Sequence, residues 1–251
     1  MVNSNLQAFN LAVSTLLKTP SHLLPNLTIP TFLDLPEHLG PHLTRNSSSS
    51  SSSSTEKNTP QKTPSIRALV IDKDNTLCPP NSIDFPKAYL QKLESLRTSP
   101  LSPFNQTNNP QGILIVSNTA GSRPSYEPEA RDLETRLQHL QIPVFRATQN
   151  RKPFCGPEVL AWFRERGVVT TADEIAVVGD RLGTDVLMAA QMGAWSVWCK
   201  NGVTHGVAGS QQDGRVDLDY RGFLAKVEVA MERYLRETCG IAPRVPPGWE
   251  G

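Results

Sequence analysis

Ala68-Leu69-Val70-Ile71-Asp72-Lys73-Asp74-Asn75-Thr76 is the stretch from which the fold can be read. Its first four residues are apolar without interruption, so the strand they form must be covered on both faces, as strands of parallel sheets are. Two carboxylates spaced two apart follow at the strand's end. Asp72 and Asp74 can there divide nucleophilic and acid/base work between them.

Outward from this strand, apolar β-rich runs recur at residues 112–117, 143–146, 175–178 and 194–198. Helical patterns fall between them at about 86–96, 127–140, 157–166 and 184–192. Pro86 and Pro157 suit a first helical position, where the missing N–H costs nothing. Such alternation predicts an α/β fold, a parallel sheet with helices on both faces. Ligands in these sheets bind beyond the carboxyl ends of the strands. Three of the expected strands end in chemical residues: Ile71 leads to Asp72, Val116 to Ser117, and Val178 to Gly179-Asp180.

The flanks differ in character. Within residues 1–43, Leu6, Phe9, Val13, Leu16 and Leu17 recur at helical spacing, and Lys18 is the only charge before Asp34. Pro20 and Pro25 should end that helix. Its stripe suits either the protein's own core or a membrane surface. It lacks the basic start and continuous apolar centre of a secretory signal. Residues 44–64 carry unbroken serines from Ser47 to Ser54, a composition that predicts disorder. A catalytic domain is expected over 65–240 and a tail over 241–251. The last helical stripe, from Tyr220 through Phe223, Leu224, Val227, Met231 and Tyr234 to Leu235, suits the sheet or a second subunit, which makes a homo-oligomer an open option.

Composition narrows the function classes. At 251 residues and 38% hydrophobic, the chain can bury one sizeable core. A net charge of +1 gives no global attraction to nucleic acid, and no basic stripe with interleaved aromatics appears, so no nucleic-acid partner is expected. Four cysteines without a C-x-x-C read as reduced thiols rather than a disulfide or zinc framework. No apolar run approaches the roughly 20 residues of a spanning helix.

The chemical residues suit a phosphate monoester, which resists attack because both it and the nucleophile are anionic. A site for it needs a nucleophile, a cation, donors to the phosphate oxygens and a proton for the leaving group. Asp72 is the expected nucleophile. Asp74 protonates the leaving alkoxide and then activates water. Ser117 and Asn118, after the second strong strand, are placed to hold phosphate oxygens, although Ser117 also suits a turn or cap. Lys152 would bring a positive charge to the phosphoryl group. Asp180 and Asp185, in Gly179-Asp180-Arg181-Leu182-Gly183-Thr184-Asp185, suit a hard divalent cation. The expected Mg²⁺ ligands are the Asp72 and Asp180 carboxylates and the Asp74 backbone carbonyl. Asp185 and Thr76 are expected to support them from behind.

These residues together resemble the haloacid dehalogenase-like phosphatases. Asp72-Lys73-Asp74-Asn75-Thr76 is similar to the family's first motif, Ser117 to its second, Lys152 to its third, and Gly179-Asp180 with Asp185 to its fourth, in order over about residues 66–200. The resemblance implies a Rossmann-like three-layer core and Mg²⁺ dependence. A narrower one lies in Ile29-Pro30-Thr31-Phe32-Leu33-Asp34-Leu35-Pro36, Val116-Ser117-Asn118-Thr119-Ala120-Gly121-Ser122 and Val178-Gly179-Asp180-Arg181-Leu182. With Asp72-Lys73-Asp74-Asn75, these phrases resemble the mitochondrial phosphatidylglycerophosphate phosphatases of fungi and plants. That implies conversion of phosphatidylglycerophosphate to phosphatidylglycerol, toward cardiolipin, by a peripheral enzyme at the matrix face of the inner membrane.

The gaps from Asp72 to Ser117 and from Ser117 to Lys152 each hold about one helix plus loops, too little for a large cap domain. An open site suits a head group still anchored in a bilayer, and equally a protein or nucleic-acid end. Lys73, Arg123, Arg151 and Arg181 lie in or beside the motifs; one or two of them are expected to grip the head group's phosphodiester and the rest to be solvated charges. Two alternatives stand: a soluble phosphatase of sugar or histidinol phosphate type, and a silent binding scaffold, against which the complete catalytic set weighs.

Overall fold

The computed structural model describes residues 4–44, 62–147, 150–203 and 223–250. One all-parallel sheet holds β1 (Leu27–Ile29), β2 (Ala68–Ile71), β3 (Ile113–Ile115), β4 (Ile175–Gly179) and β5 (Trp195–Cys199), in the order β1-β5-β4-β2-β3. From β2 the chain steps to β3 on one side, then crosses to β4 on the other. The crevice beyond the carboxyl ends of β2 and β4 is therefore the switch point, where such sheets bind ligands.

Side chains alternate along each strand and build two cores. Leu69 and Ile71 of β2 face α3 (Lys87–Thr98) and α4 (Glu127–Arg136), whereas Ala68 and Val70 face α5 (Gly156–Glu165) and α6 (Leu187–Met192). This is the three-layer α/β sandwich expected. Among the described residues no cap domain intervenes: α3 with loops fills one gap, and α4 with short turns fills the other.

The N-terminal residues depart from the sequence expectation. The boundary at residue 43 divides what the structure joins. β1 pairs in register with β5, Leu27 opposite Val197 and Ile29 opposite Cys199. The Asn26 side-chain oxygen accepts from the Ser196 N–H at 2.9 Å and the Ser196 hydroxyl at 3.0 Å. Leu23, Leu24, Phe32, Leu35, Leu39 and Leu43, the last on the short helix α2 (Gly40–Leu43), are buried, and Phe32 stacks on Tyr89 of α3. The tail, too, is docked. The Arg244 N–H donates to the Ser21 carbonyl at 3.0 Å, and the Trp249 ring meets Trp195 edge-on at 5.5 Å. The serine run lies outside the described residues.

A second correction concerns residues 143–146, which form a single bridge, Val144 to Ile115, instead of a strand. Arg146 is drawn to Glu127 and Glu134, and the Ala147 N–H donates to the Gly121 carbonyl, which turns the chain off the sheet.

Among the described residues, two helices lie outside the three layers. α7 (Phe223–Arg233) rests Val229 and Met231 on Leu182, Val186 and Trp198. α1 (Ser4–Lys18) buries Thr15 but exposes Leu6, Phe9, Val13 and Leu17, so its apolar stripe is not absorbed by the core. No helix among the described residues is long and apolar enough to cross a membrane.

A chain beginning at Ser65 would lack β1 and the buried Leu23, Leu24, Ile29, Phe32, Leu35, Leu39 and Leu43. At roughly 1.5 kcal/mol or more each, their loss reaches the order of 10 kcal/mol, comparable to a whole domain's stability. That chain should show no cooperative melting transition, whereas one beginning at Thr19 should keep it. A sharp transition at the Ser65 start would make the segment an appendage.

Candidate active site

Four segments deliver the site. β2 runs directly into Asp72, whose N–H donates to the Val178 carbonyl of β4 at 2.9 Å, so the nucleophile's backbone continues the sheet. β4 runs into Asp180, β3 leads to Ser117, and Lys152 comes from the loop before α5. The Lys152 ammonium donates to Asp72 Oδ1 and, at 2.6 Å, to Asp185 Oδ1. Asp185 Oδ2 accepts the Arg181 N–H at 3.1 Å, so both oxygens of Asp185 are engaged. Gly179 permits this approach, because a Cβ there would lie 2.2 Å from the Asp185 carboxyl carbon.

Asp72, Asp180 and Asp185 are all buried, and their carboxylate oxygens lie within 4.8 Å of one another. The Lys152 ammonium bonds two of these three carboxylates, Asp72 and Asp185, and the charge that favours Asp180 is the Arg181 guanidinium. Burial, opposed by Lys152 and reinforced by Asp185, lifts the Asp72 carboxyl to about 7. Asp180 is also raised well above the carboxylate range, by burial and then by the charges of Asp72 and Asp185. Burial disfavours the charge on Lys152, but Asp185 and Asp72 outweigh it and hold the ammonium above its ordinary range. A buried all-oxygen cluster whose carboxylates repel one another fits a hard divalent cation.

Asp180 is fixed by a residue that the motifs alone do not mark. Asn75 Nδ2 donates to Asp180 Oδ2 at 2.7 Å. Asn75 sits at φ 61°, a left-handed conformation that Asn adopts more readily than most residues. Its side chain leaves no room for a Cβ at Gly202, which would lie 2.4 Å away.

Asp74 has its own cradle. Thr119 Oγ1 donates to Asp74 Oδ2 at 2.8 Å, and the Lys73 ammonium lies 2.9 Å from Asp74 Oδ1. Ser117 Oγ lies 3.5 Å from Asp74 Oδ2 and accepts the Thr119 N–H at 3.0 Å, so the hydroxyl is also a turn residue. Asn118 clasps the Lys152 backbone, its Oδ1 accepting the Lys152 N–H at 3.0 Å, which gives its side chain a positioning contact rather than a free phosphate donor. The Thr76 hydroxyl is buried and makes no hydrogen bond among the described residues, so it does not brace the carboxylates.

The four basic residues separate. Lys73 is wholly buried and donates to Glu129 and the Ser82 carbonyl as well as facing Asp74, which leaves it nothing to offer a head group. Arg181 pairs with Glu228 of α7 at 3.1 Å. Arg123 and Arg151, together with Arg181, line an open trough of about 810 Å³ that also takes in Asn118, Lys152 and residues of α1 and α7. Arg151 Nη2 is buried without a hydrogen-bond partner among the described residues. Burial, then the charge of Arg123, lowers the Arg151 pKa.

Residues 6–204 match the profile of the mitochondrial PGP phosphatases. The chain belongs to this family. Phosphatidylglycerophosphatase GEP4, mitochondrial, of Saccharomyces cerevisiae is 41% identical over 140 residues, 55% of this chain and 69% of that protein. A probable mitochondrial phosphatidylglycerophosphatase of Schizosaccharomyces pombe is 33% identical over 138 residues, 55% of this chain and 61% of that protein. No solved structure matches. The family match includes the N-terminal residues that build β1, and it ends before α7.

Thr119→Val keeps the shape but removes the 2.8 Å bond to Asp74. It should lower kcat by about ten- to hundredfold, the scale of a misplaced catalytic group, with little change in melting temperature. An unchanged kcat would show that Asp74 is held without Thr119.

Proposed function

We propose that the protein hydrolyses phosphatidylglycerophosphate to phosphatidylglycerol and inorganic phosphate. The observation that carries this is the placement of Asp72, Lys152, Asp180 and Asp185 at one switch point, with Lys152 also lining a trough that it shares with Arg123, Arg151 and Arg181. The names of the two relatives supply the substrate class. By the same resemblance the enzyme works on the route to cardiolipin, at the matrix side of the mitochondrial inner membrane, as a peripheral protein.

In this reading an Asp72 oxygen attacks phosphorus. The bond to the leaving glycerol oxygen breaks, and Asp74 supplies the proton that oxygen needs. Asp74, now a carboxylate, takes a proton from water, whose oxygen attacks the same phosphorus and releases phosphate from Asp72. Lys152 offsets charge on the transferring group and, through its bond to Asp185, stays aimed at Asp72. Asp72, Asp180 and the Asp74 carbonyl would hold Mg²⁺, which when bound neutralises phosphoryl charge. Arg123 and Arg151 would receive the phosphodiester, and Arg181 would act by holding α7 against the catalytic loop.

A soluble phosphatase of sugar phosphates would use the same catalytic set. The apolar walls of the trough favour the lipid.

Phosphate release from phosphatidylglycerophosphate in liposomes should require Mg²⁺ and be abolished by Asp72→Asn. Arg151→Ala should reduce lipid turnover at least tenfold more than turnover of a small aryl phosphate, because a lost charge-assisted contact is worth about 1.5–3 kcal/mol. Equal losses on both substrates would remove the diester role, and retained activity in Asp72→Asn would overturn the mechanism.

A further inference from the structure

Large apolar side chains that stay exposed among the described residues are not scattered. Seven of the nine lie on two elements: Leu6, Phe9, Val13 and Leu17 on α1, and Leu224, Val227 and Tyr234 on α7 and the turn extending it. Single exposed apolar residues are ordinary, but a contiguous group marks an interaction surface. Four of the seven, Phe9, Val13, Leu224 and Val227, line the trough together with Ala12, Met231 and the buried Lys152.

Both helices are fixed to the catalytic loop. Glu228 of α7 accepts the Gly183 N–H at 3.1 Å and the Arg181 guanidinium at 3.1 Å. From the other side, a Cβ on Gly183 would lie 3.6 Å from Ala12 Cβ of α1. The walls are therefore seated two residues from Asp185 and belong to the site's own architecture.

The lining is mixed. The buried Lys152 and the Arg123, Arg151 and Arg181 guanidinium groups share it with hydrocarbon side chains of α1 and α7, and Glu228 there is taken up by Arg181. A ligand complementary to this lining carries a phosphate, a second anionic group and an apolar chain. The volume, about 810 Å³, lies within the range of ligand pockets. Resting on the lipid phosphatase reading above, the geometry points to the cleft between α1 and α7 as the seat of an acyl chain of the substrate, which is drawn into the protein during turnover. α1 is then a wall of the substrate site and more than a membrane anchor. The α7 wall lies beyond the family match, which ends at residue 204.

The test separates acyl binding from membrane attachment by leaving out membranes. Phosphate release by the full chain is measured on the deacylated head group and on the same head group with two short acyl chains, kept monomeric. Each buried methylene contributes roughly fourfold, so kcat/KM for the short-chain lipid should exceed that for the head group by at least about tenfold. Phe9→Ser with Val227→Ser, both at exposed positions and checked by melting temperature, should cut this ratio about tenfold, chiefly through KM. A ratio near one in the native chain, or one unchanged in the double variant, overturns the inference. So does a double variant that sediments as a smaller species with its lipid preference intact, since the face would then join copies of the chain. No phosphate from either substrate in the native chain would instead overturn the lipid phosphatase reading beneath it.

Discussion

Everything in the site depends on holding Asp72, Asp180 and Asp185 together out of water, with one ammonium bonded to Asp72 and Asp185. Like charges this close repel, and burial removes the water that would screen them. The fold answers with rigid supports. Asp72 and Asp180 are continuations of adjacent buried strands, Asn75 ties down Asp180, and the Arg181 N–H and Lys152 engage Asp185. Asn118 in turn fixes the backbone that carries Lys152. The cluster is stable only as part of a packed sheet, which is why the edge strand β1 and the docked tail matter to chemistry at the centre.

Much of this was legible in the chain. Buried strands announce themselves as continuous apolar runs, and β2 and β4 stand where those runs placed them, each ending in its carboxylate. β1 was not legible. Leu27-Thr28-Ile29 is three residues long, lies between Pro25 and Pro30, and is cut off from β2 by the serine run, so no local pattern distinguishes it from a loop. Its partner, β5, follows about 170 residues later, as the Asn26–Ser196 separation shows.

The basic residues show the same limit. Lys73 and Arg181 looked as available as Arg123 and Arg151, because position beside a motif is all that a sequence displays. Their fates are set by acids 56 and 47 residues away, Glu129 and Glu228, which only folding brings near. Asp74's support from Thr119 was closer to hand, two residues after Ser117, yet a threonine in a turn has no chemical signature of its own. What joins the phosphatase chemistry to a lipid is likewise three-dimensional. Two helices from opposite ends of the described chain flank one trough, each with its own unabsorbed apolar stripe.

The central claim is that Asp72 takes the phosphoryl group covalently. An acyl phosphate on aspartate is reduced by borohydride to homoserine, which mass spectrometry locates in the sequence. Enzyme quenched with borohydride during turnover of phosphatidylglycerophosphate should carry homoserine at position 72, and enzyme without substrate should not. Modification at another residue, or none while phosphate is being released, would contradict the account.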